Sequence, residues 1–182
     1  MKQVIFYLLT IASILSCSNQ NIAIVTFEDD KTNEIKAHFE DYASGNIDGM
    51  LSRWSDDLSI LTNEGVVGLK EVKELLPLHH TLFSEINFTY PDSEEKGFYA
   101  ETTDYPDGTT WTKTWYKWHA VGNFTNNEVS SLGMIGFRWD NGKIVEEHHF
   151  EDSSVFEAEL NAYQASLLSL IHISEPTRHN AI

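Results

Sequence analysis

The chain has 182 residues, 41% hydrophobic, 12% aromatic and 22% charged, with no low-complexity tract; this is the composition of one folded domain and excludes wholesale disorder. Twelve basic residues stand against 28 acidic ones, a net charge of −16, which repels a phosphate backbone and excludes nucleic acid as a partner. The single cysteine, Cys17, excludes an intrachain disulfide framework and a Cys-rich metal site.

Residues 1–16 read as a signal peptide. Lys2 supplies a positive start, and Val4 to Leu15 is an apolar run too short for an ordinary spanning helix. The run ends Ile14-Leu15-Ser16-Cys17, which resembles a bacterial lipoprotein signal whose Cys is acylated and becomes the first mature residue. That resemblance implies lipidation at Cys17, a place in the bacterial cell envelope facing the periplasm or exterior, and membrane contact only through the lipid. An ordinary secretory signal with an incidental Cys is the alternative. Residues 17–30 lack apolar periodicity and are expected to form a tether. At the other end, residues 168–182 include Leu168-Ser-Leu-Ile-His-Ile-Ser-Glu-Pro-Thr-Arg178, which resembles translated sequencing adapter. They are set aside as a non-native tail; a genuine helical extension is the alternative, since Leu167, Leu168, Leu170 and Ile171 continue an apolar pattern. The remaining span, 17–167, holds 10 basic and 27 acidic residues, a net charge of −17.

The domain proper, 31–167, reads as helices first and strands after. Ile35, His38, Phe39, Tyr42 and Ala43 give residues 31–44 one apolar helical face. Gly45 stops that helix and Asn46 caps the next, whose stripe is Ile47, Met50, Leu51 and Trp54. Leu58 to Leu61 reads as a short strand, and Gly65 and Gly68 bracket a turn. A third helix carries Leu69, Val72, Leu75 and Leu76 and is expected to end near Pro77. The period then changes toward two. Ile86, Phe88 and Tyr90 mark a strand, followed by strands over Phe98–Tyr105, Thr110–Val121, Val129–Trp139 and Lys143–Phe150. Asp140-Asn141-Gly142 is a tight hairpin signal. Ser154 and Glu157 suggest a capping box for a last helix faced by Phe156, Leu160 and Tyr163. Helices segregated from antiparallel strands give an α+β class.

The order Gly45-Asn46-Ile47-Asp48-Gly49, Trp54-Ser55-Asp56-Asp57, Gly68 and Phe137-Arg138-Trp139-Asp140-Asn141-Gly142-Lys143-Ile144-Val145-Glu146 resembles the SnoaL-like domains of the nuclear transport factor 2-like superfamily. The resemblance spans about residues 31–165. It implies a cone-shaped roll: a curved, mostly antiparallel sheet wrapped by N-terminal helices, with a C-terminal helix, an internal pocket and a homodimer formed through the sheet. It leaves activity open, because this fold hosts many chemistries and plain binders.

Register against ketosteroid isomerase, a member of the same superfamily, places its oxyanion-hole Tyr at His38, its base at Thr62 and its protonated Asp at Ile135. None of the three keeps its function here, so steroid isomerisation by that route is disfavoured. The same register puts Glu147 and His149 on the cavity side of the last strand, and period-two geometry lets them share a face. His149 is the candidate acid/base group, with an unperturbed pKa near neutrality. Glu147 is its candidate orienter and His38 a donor to developing oxygen charge, with a core His as the alternative.

The strand Thr110–Val121 puts Trp111, Lys113, Trp115, Lys117 and His119 on one face and Thr112, Thr114, Tyr116, Trp118 and Ala120 on the other. The lysines suit the outside, which leaves Tyr116 and Trp118 for the cavity; the sequence alone does not settle the choice. With Trp54, Thr62, Ile135 and Phe137 they form the expected wall for a small apolar or cyclic ligand, or simply fill the core. His79-His80 and His148-His149 suggest a metal, but strand neighbours point to opposite faces and no HExxH spacing occurs. Neither a metal nor a cofactor is expected, and no phosphate loop or nucleophile elbow is present. Three readings remain: an enzyme using cofactor-free proton transfer, a non-catalytic ligand binder, and an interaction domain dimerising through its Trp111/Trp115 face.

Overall fold

The computed structural model describes residues 22–173. Residues 1–21, which hold the expected signal peptide and Cys17, and residues 174–182 lie outside the described residues. No helix among the described residues is long and apolar enough to cross a membrane.

The chain runs β1 (Ile24–Thr26), α1 (Asp30–Ser44), α2 (Ile47–Leu51), β2 (Trp54–Thr62), β3 (Gly65–Gly68), α3 (Leu69–Leu82), β4 (Phe83–Thr89), β5 (Tyr99–Asp104), β6 (Thr110–Gly122), β7 (Glu128–Asp140), β8 (Lys143–Glu151) and α4 (Ser154–Ile173). All eight strands form one sheet in the order β1-β5-β6-β7-β8-β2-β3, with β4 on β6. Only β2 and β8 pair in parallel. The long β6 anchors the sheet: β7 covers one edge, while β5 and then β4 share the other. This is the expected α+β roll, with α1 and α3 across the concave face and α4 closing one end.

Local chemistry explains the helix starts and stops. Asp29 caps α1 by accepting from Thr32 N at 2.7 Å, and Thr32 Oγ1 accepts from Asp29 N at 2.9 Å. Gly45 ends α1 in the left-handed conformation, φ 72°, and Asn46 caps α2 as expected by accepting from Gly49 N.

Five sequence expectations change. Residues 24–26, read as tether, pair with β5 as an edge strand. Trp54 begins β2 rather than closing a helical stripe, because α2 is a single turn. Arg53 pins that junction to α1 through Asp41 at 2.6 Å and Glu34 at 2.9 Å. Helix α3 continues through Pro77 to Leu82. A mid-helix proline costs about 3 kcal/mol, and burial of Leu76 and Leu82 offsets it. In β4 a bulge at Glu85, φ 54°, breaks strict alternation, so Phe83, Ile86 and Thr89 are the buried positions and Tyr90 lies beyond the strand. Finally, the start of α4 is held one residue earlier than Ser154: Ser153 accepts Glu157 N on its carbonyl, and its hydroxyl reaches Glu157 and Glu64. Helix α4 itself runs on to Ile173.

Helix α4 is fastened to the β6–β7 loop by Glu159. This buried carboxylate accepts from Phe124 N at 2.5 Å, Thr125 N at 3.3 Å and Thr125 Oγ1 at 2.7 Å. Glu159→Ala leaves those donors without a partner and is expected to destabilise the fold by about 2 kcal/mol, measured as a lower midpoint in urea. An unchanged midpoint would show that the loop finds other partners.

Candidate functional site

Concave faces of β2, β6, β7 and β8, with α1 and α3 above them and the start of α4 at the rim, enclose a cavity of about 280 Å³. That is the small end of the range for ligand pockets. Tyr116 and Trp118 line it, so the Thr-Tyr-Trp face of β6 is the inner one. Thr112 and Thr114 are fully buried on that face, where Thr112 accepts from Trp139 Nε1 at 2.9 Å. All nine sequence candidates for the pocket border the cavity: His38, Trp54, Thr62, Tyr116, Trp118, Ile135, Phe137, Glu147 and His149.

Strand register brings the central pair together. Phe137 stands opposite Glu147, and Ile135 opposite His149. Although two residues apart on a strand, Glu147 and His149 touch: His149 Nε2 lies 2.7 Å from Glu147 Oε2. Trp54 Nε1 donates to the other oxygen, Oε1, at 2.5 Å. Glu147 is 2% exposed, so both of its oxygens are satisfied inside the protein.

The electrostatics differ from the neutral-range imidazole expected at His149. Burial opposes its charge, but the hydrogen bond to Glu147 and the negative charges of Glu147 and Glu151 raise its pKa to about 9. His149 is therefore an imidazolium at neutral pH. Burial likewise pushes the Glu147 carboxyl up, but the His149 hydrogen bond and the charge nearby hold it below the usual range. His38 behaves in the opposite way. Burial lowers its pKa to about 4, so it is neutral. Its ring packs edge-on against Trp54 at 5.2 Å and Phe137 at 5.9 Å, and its Nδ1 has no protein partner. Thr62 is on the wall, but its hydroxyl serves the β2–β3 turn, donating to Gly65 O and accepting from Glu64 N.

Further polar residues that the sequence reading did not select border the cavity, Glu151, Tyr42 and His79 among them. Glu151 continues the Glu147, His149 alternation by one more step at the rim; extending the period-two pattern would have found it. Its Oε1 is 3.7 Å from His149 Nδ1, and Oε2 accepts from Tyr116 OH at 3.3 Å. Tyr116 reaches it by lying flat over Gly133, where any Cβ would come within 2.5 Å of the ring. Tyr42 and His79 form the other pair, with OH to Nδ1 at 3.0 Å. Burial lowers His79 to about 4 and raises Tyr42. Tyr42 had read as part of the apolar stripe, and His79 sits beyond the proline where the helix was expected to stop.

The histidine doublets split as strand and helix geometry demand. His148 faces outward against Trp111, ring centroids 4.9 Å apart, and contacts Glu146 at 2.7 Å. His80 packs beneath Gly45. Among the described residues, no group of three or more His, Cys, Asp or Glu is arranged to hold a metal ion.

No protein-family model matches the sequence, and no curated protein matches it. Solved structures do. A candidate SnoaL-like polyketide cyclase from Shewanella denitrificans superposes with a TM-score of 0.54 at 10% identity, covering 74% of this chain and 99% of that one. An NTF2-like protein of unknown function from Burkholderia pseudomallei gives 0.53 at 12% identity, covering 71% and 95%. AclR from Streptomyces galilaeus, a candidate hydroxylase, gives 0.53 at 13% identity, covering 72% and 96%. The domain has the SnoaL-like, nuclear transport factor 2-like fold. In this nuclear transport factor 2-like cone the charged row Glu147, His149, Glu151 descends one strand from floor to rim, against walls that are otherwise aromatic and aliphatic.

Proposed function

We propose that this chain binds a small apolar or cyclic ligand in its cone and acts on it by cofactor-free proton transfer, of cyclase, isomerase, dehydratase or hydrolase type. The observation that carries this reading is the His149 ring, 2.7 Å from the fully buried Glu147 carboxylate and bordering a cavity with largely aromatic and aliphatic walls. A buried ion pair gives little net stability over apolar side chains of the same size, whereas a positioned acid in a water-poor site accelerates proton transfer. His149 is the acid, Glu147 fixes its ring, and His38 is a neutral ring on the wall whose buried Nδ1 has no partner among the described residues. The name polyketide cyclase borne by a structural neighbour agrees with a cyclic, oxygen-bearing ligand.

The test is native mass spectrometry to find the ligand, followed by turnover of that compound by wild type and His149→Gln. At least a tenfold loss of turnover is expected in the variant. Equal turnover refutes the assignment, and a ligand released unchanged by wild type favours the plain binder.

Export on a lipid at Cys17 and dimerisation belong to the same proposal. The outward row Tyr99, Trp115, Met134, Phe150 crosses four paired strands, with Leu132 62% and Phe150 52% exposed. An apolar band of this kind suits a self-complementary sheet-to-sheet contact. Trp115→Glu is expected to convert a sedimenting dimer to monomer; a wild-type protein that stays monomeric at high concentration removes this part of the proposal. Globomycin-sensitive processing and palmitate labelling, lost in Cys17→Ser, would test the anchor.

A further inference from the structure

A proton-transfer site needs a base as well as an acid, and the row on β8 divides the two roles. Glu147 has no free acceptor capacity facing the ligand: Trp54 holds Oε1 and His149 holds Oε2. His149 carries its proton already and has none to gain. Glu151 is different. Its carboxylate lies at the rim with one oxygen under the Tyr116 hydroxyl. The other oxygen is 3.7 Å from His149 Nδ1, too far for a hydrogen bond. That gap leaves one N–H donor and one carboxylate oxygen side by side on two residues that border the cavity, close enough to attract as charges but not hydrogen-bonded to each other. Adjacent acid and base atoms at this separation can straddle a two-atom fragment in which an oxygen acceptor neighbours an acidic C–H.

We infer that Glu151 is the proton-accepting catalytic residue of the pocket, working beside His149 Nδ1–H on a non-anionic ligand that carries an acidic C–H close to an oxygen. This rests on the proposed proton-transfer reading of the same site. The ligand is not an anion, because Glu147, Glu151 and Asp152 border the cavity and no Lys or Arg among the described residues does, so an anion meets net negative charge. In the step, Glu151 takes the proton, the C–H electron pair becomes a new π bond, and the adjacent bond to the oxygen (a carbonyl π bond, or a σ bond to a leaving oxygen) breaks with its pair going to that oxygen, where His149 Nδ1–H donates to the charge. No oxidant, reductant or co-substrate is consumed. Tyr116 is a positioning residue: its hydroxyl fixes one carboxylate oxygen and leaves the other facing His149.

The probe is 5-nitrobenzisoxazole, whose C–H is removed by a carboxylate as its N–O bond breaks to give 2-cyano-4-nitrophenolate. It supplies both features, an acidic C–H and an oxygen on which charge develops. Wild-type protein is expected to release the phenolate with saturation kinetics. Glu151→Gln is expected to lose at least tenfold in kcat with KM within about twofold. The pH profile separates a base from a merely structural residue. Burial pushes Glu151 up, but the adjacent His149 ring, the charges of His149 and His79 and the Tyr116 hydroxyl hold it below the usual range. A Glu151 base is thus already ionised by about pH 5, and the rate stays level to about pH 8. It falls near pH 9 as His149 loses its proton. A rate that instead climbs through about pH 6–7 identifies a histidine base and overturns the inference, including where Glu151→Gln does not fold. Equal kcat in a folded Glu151→Gln also overturns it and leaves the pocket reading standing. A probe that neither shifts the melting temperature nor turns over removes the pocket reading and this inference together.

Discussion

Glu147→Ala is expected to destabilise the domain by about 3–5 kcal/mol. The carboxylate is fully buried and is the partner of both Trp54 Nε1 and His149 Nε2. Its removal strands an indole N–H and leaves the imidazolium with only the more distant Glu151. The variant is expected to shed the His149 proton at neutral pH, because burial alone pushes that pKa down once the main hydrogen bond is gone. Two measurements check this: the urea midpoint, and an NMR titration of the His149 ring. Glu147→Gln distinguishes charge from hydrogen bonding. The amide oxygen can still accept from Trp54, but the charge that holds His149 protonated is absent. A midpoint loss under about 1 kcal/mol for Glu147→Ala would mean that the pair contributes little, and the case for a built acid would weaken with it.

The same pair shows what the sequence makes legible. Strand alternation placed Glu147 and His149 on one face, and that face is the cavity wall. Local signals fixed the helix ends at Gly45 and Asn46, and the turn at Asn141-Gly142, where both residues have positive φ. These features depend on neighbours in sequence, so the sequence carries them. Others depend on contacts made across the fold. Pro77 reads as a helix end, yet α3 passes through it because burial of Leu76 and Leu82 outweighs one missing hydrogen bond. That misplaced end hid His79. Trp54 looked like the last member of a helical stripe, and only the Arg53 ion pairs to α1 turn the chain there into β2. Nor could composition show that His149 is charged while His38 and His79 are neutral. That split comes from carboxylates at 2.7 and 3.7 Å around one ring, whereas the carboxylates near the other two do not offset their burial.

Stability is expected to peak near pH 6.5 and to fall faster on the acid side. Three buried rings dictate this shape. His149 has a folded pKa of about 9 against an ordinary value of 6.5. Its contribution, about 3 kcal/mol, is fully present below pH 6.5 and is lost as pH rises through about 9. The carboxylates facing it are Glu147 and Glu151, both held below the usual range and so charged throughout this interval. His38 and His79 are depressed to about 4, chiefly by burial. The unfolded chain protonates them below pH 6.5 while the folded chain resists, so together they remove about 6 kcal/mol as pH falls from 6.5 toward 4. His38 faces Glu147, Arg53, His149 and Asp41, and His79 faces Glu151, His80 and His149; none of these offsets the burial of either ring. Two protons are therefore taken up on unfolding along the acid limb, and one is released along the alkaline limb. Urea midpoints measured from about pH 4 to pH 9 should trace that asymmetry. His149→Gln is expected to flatten only the alkaline limb, and His79→Gln to make the acid limb shallower. A wild-type alkaline limb that is already flat would mean that His149 is not held as a cation, and the acid role assigned to it would fail on a measurement that needs no substrate.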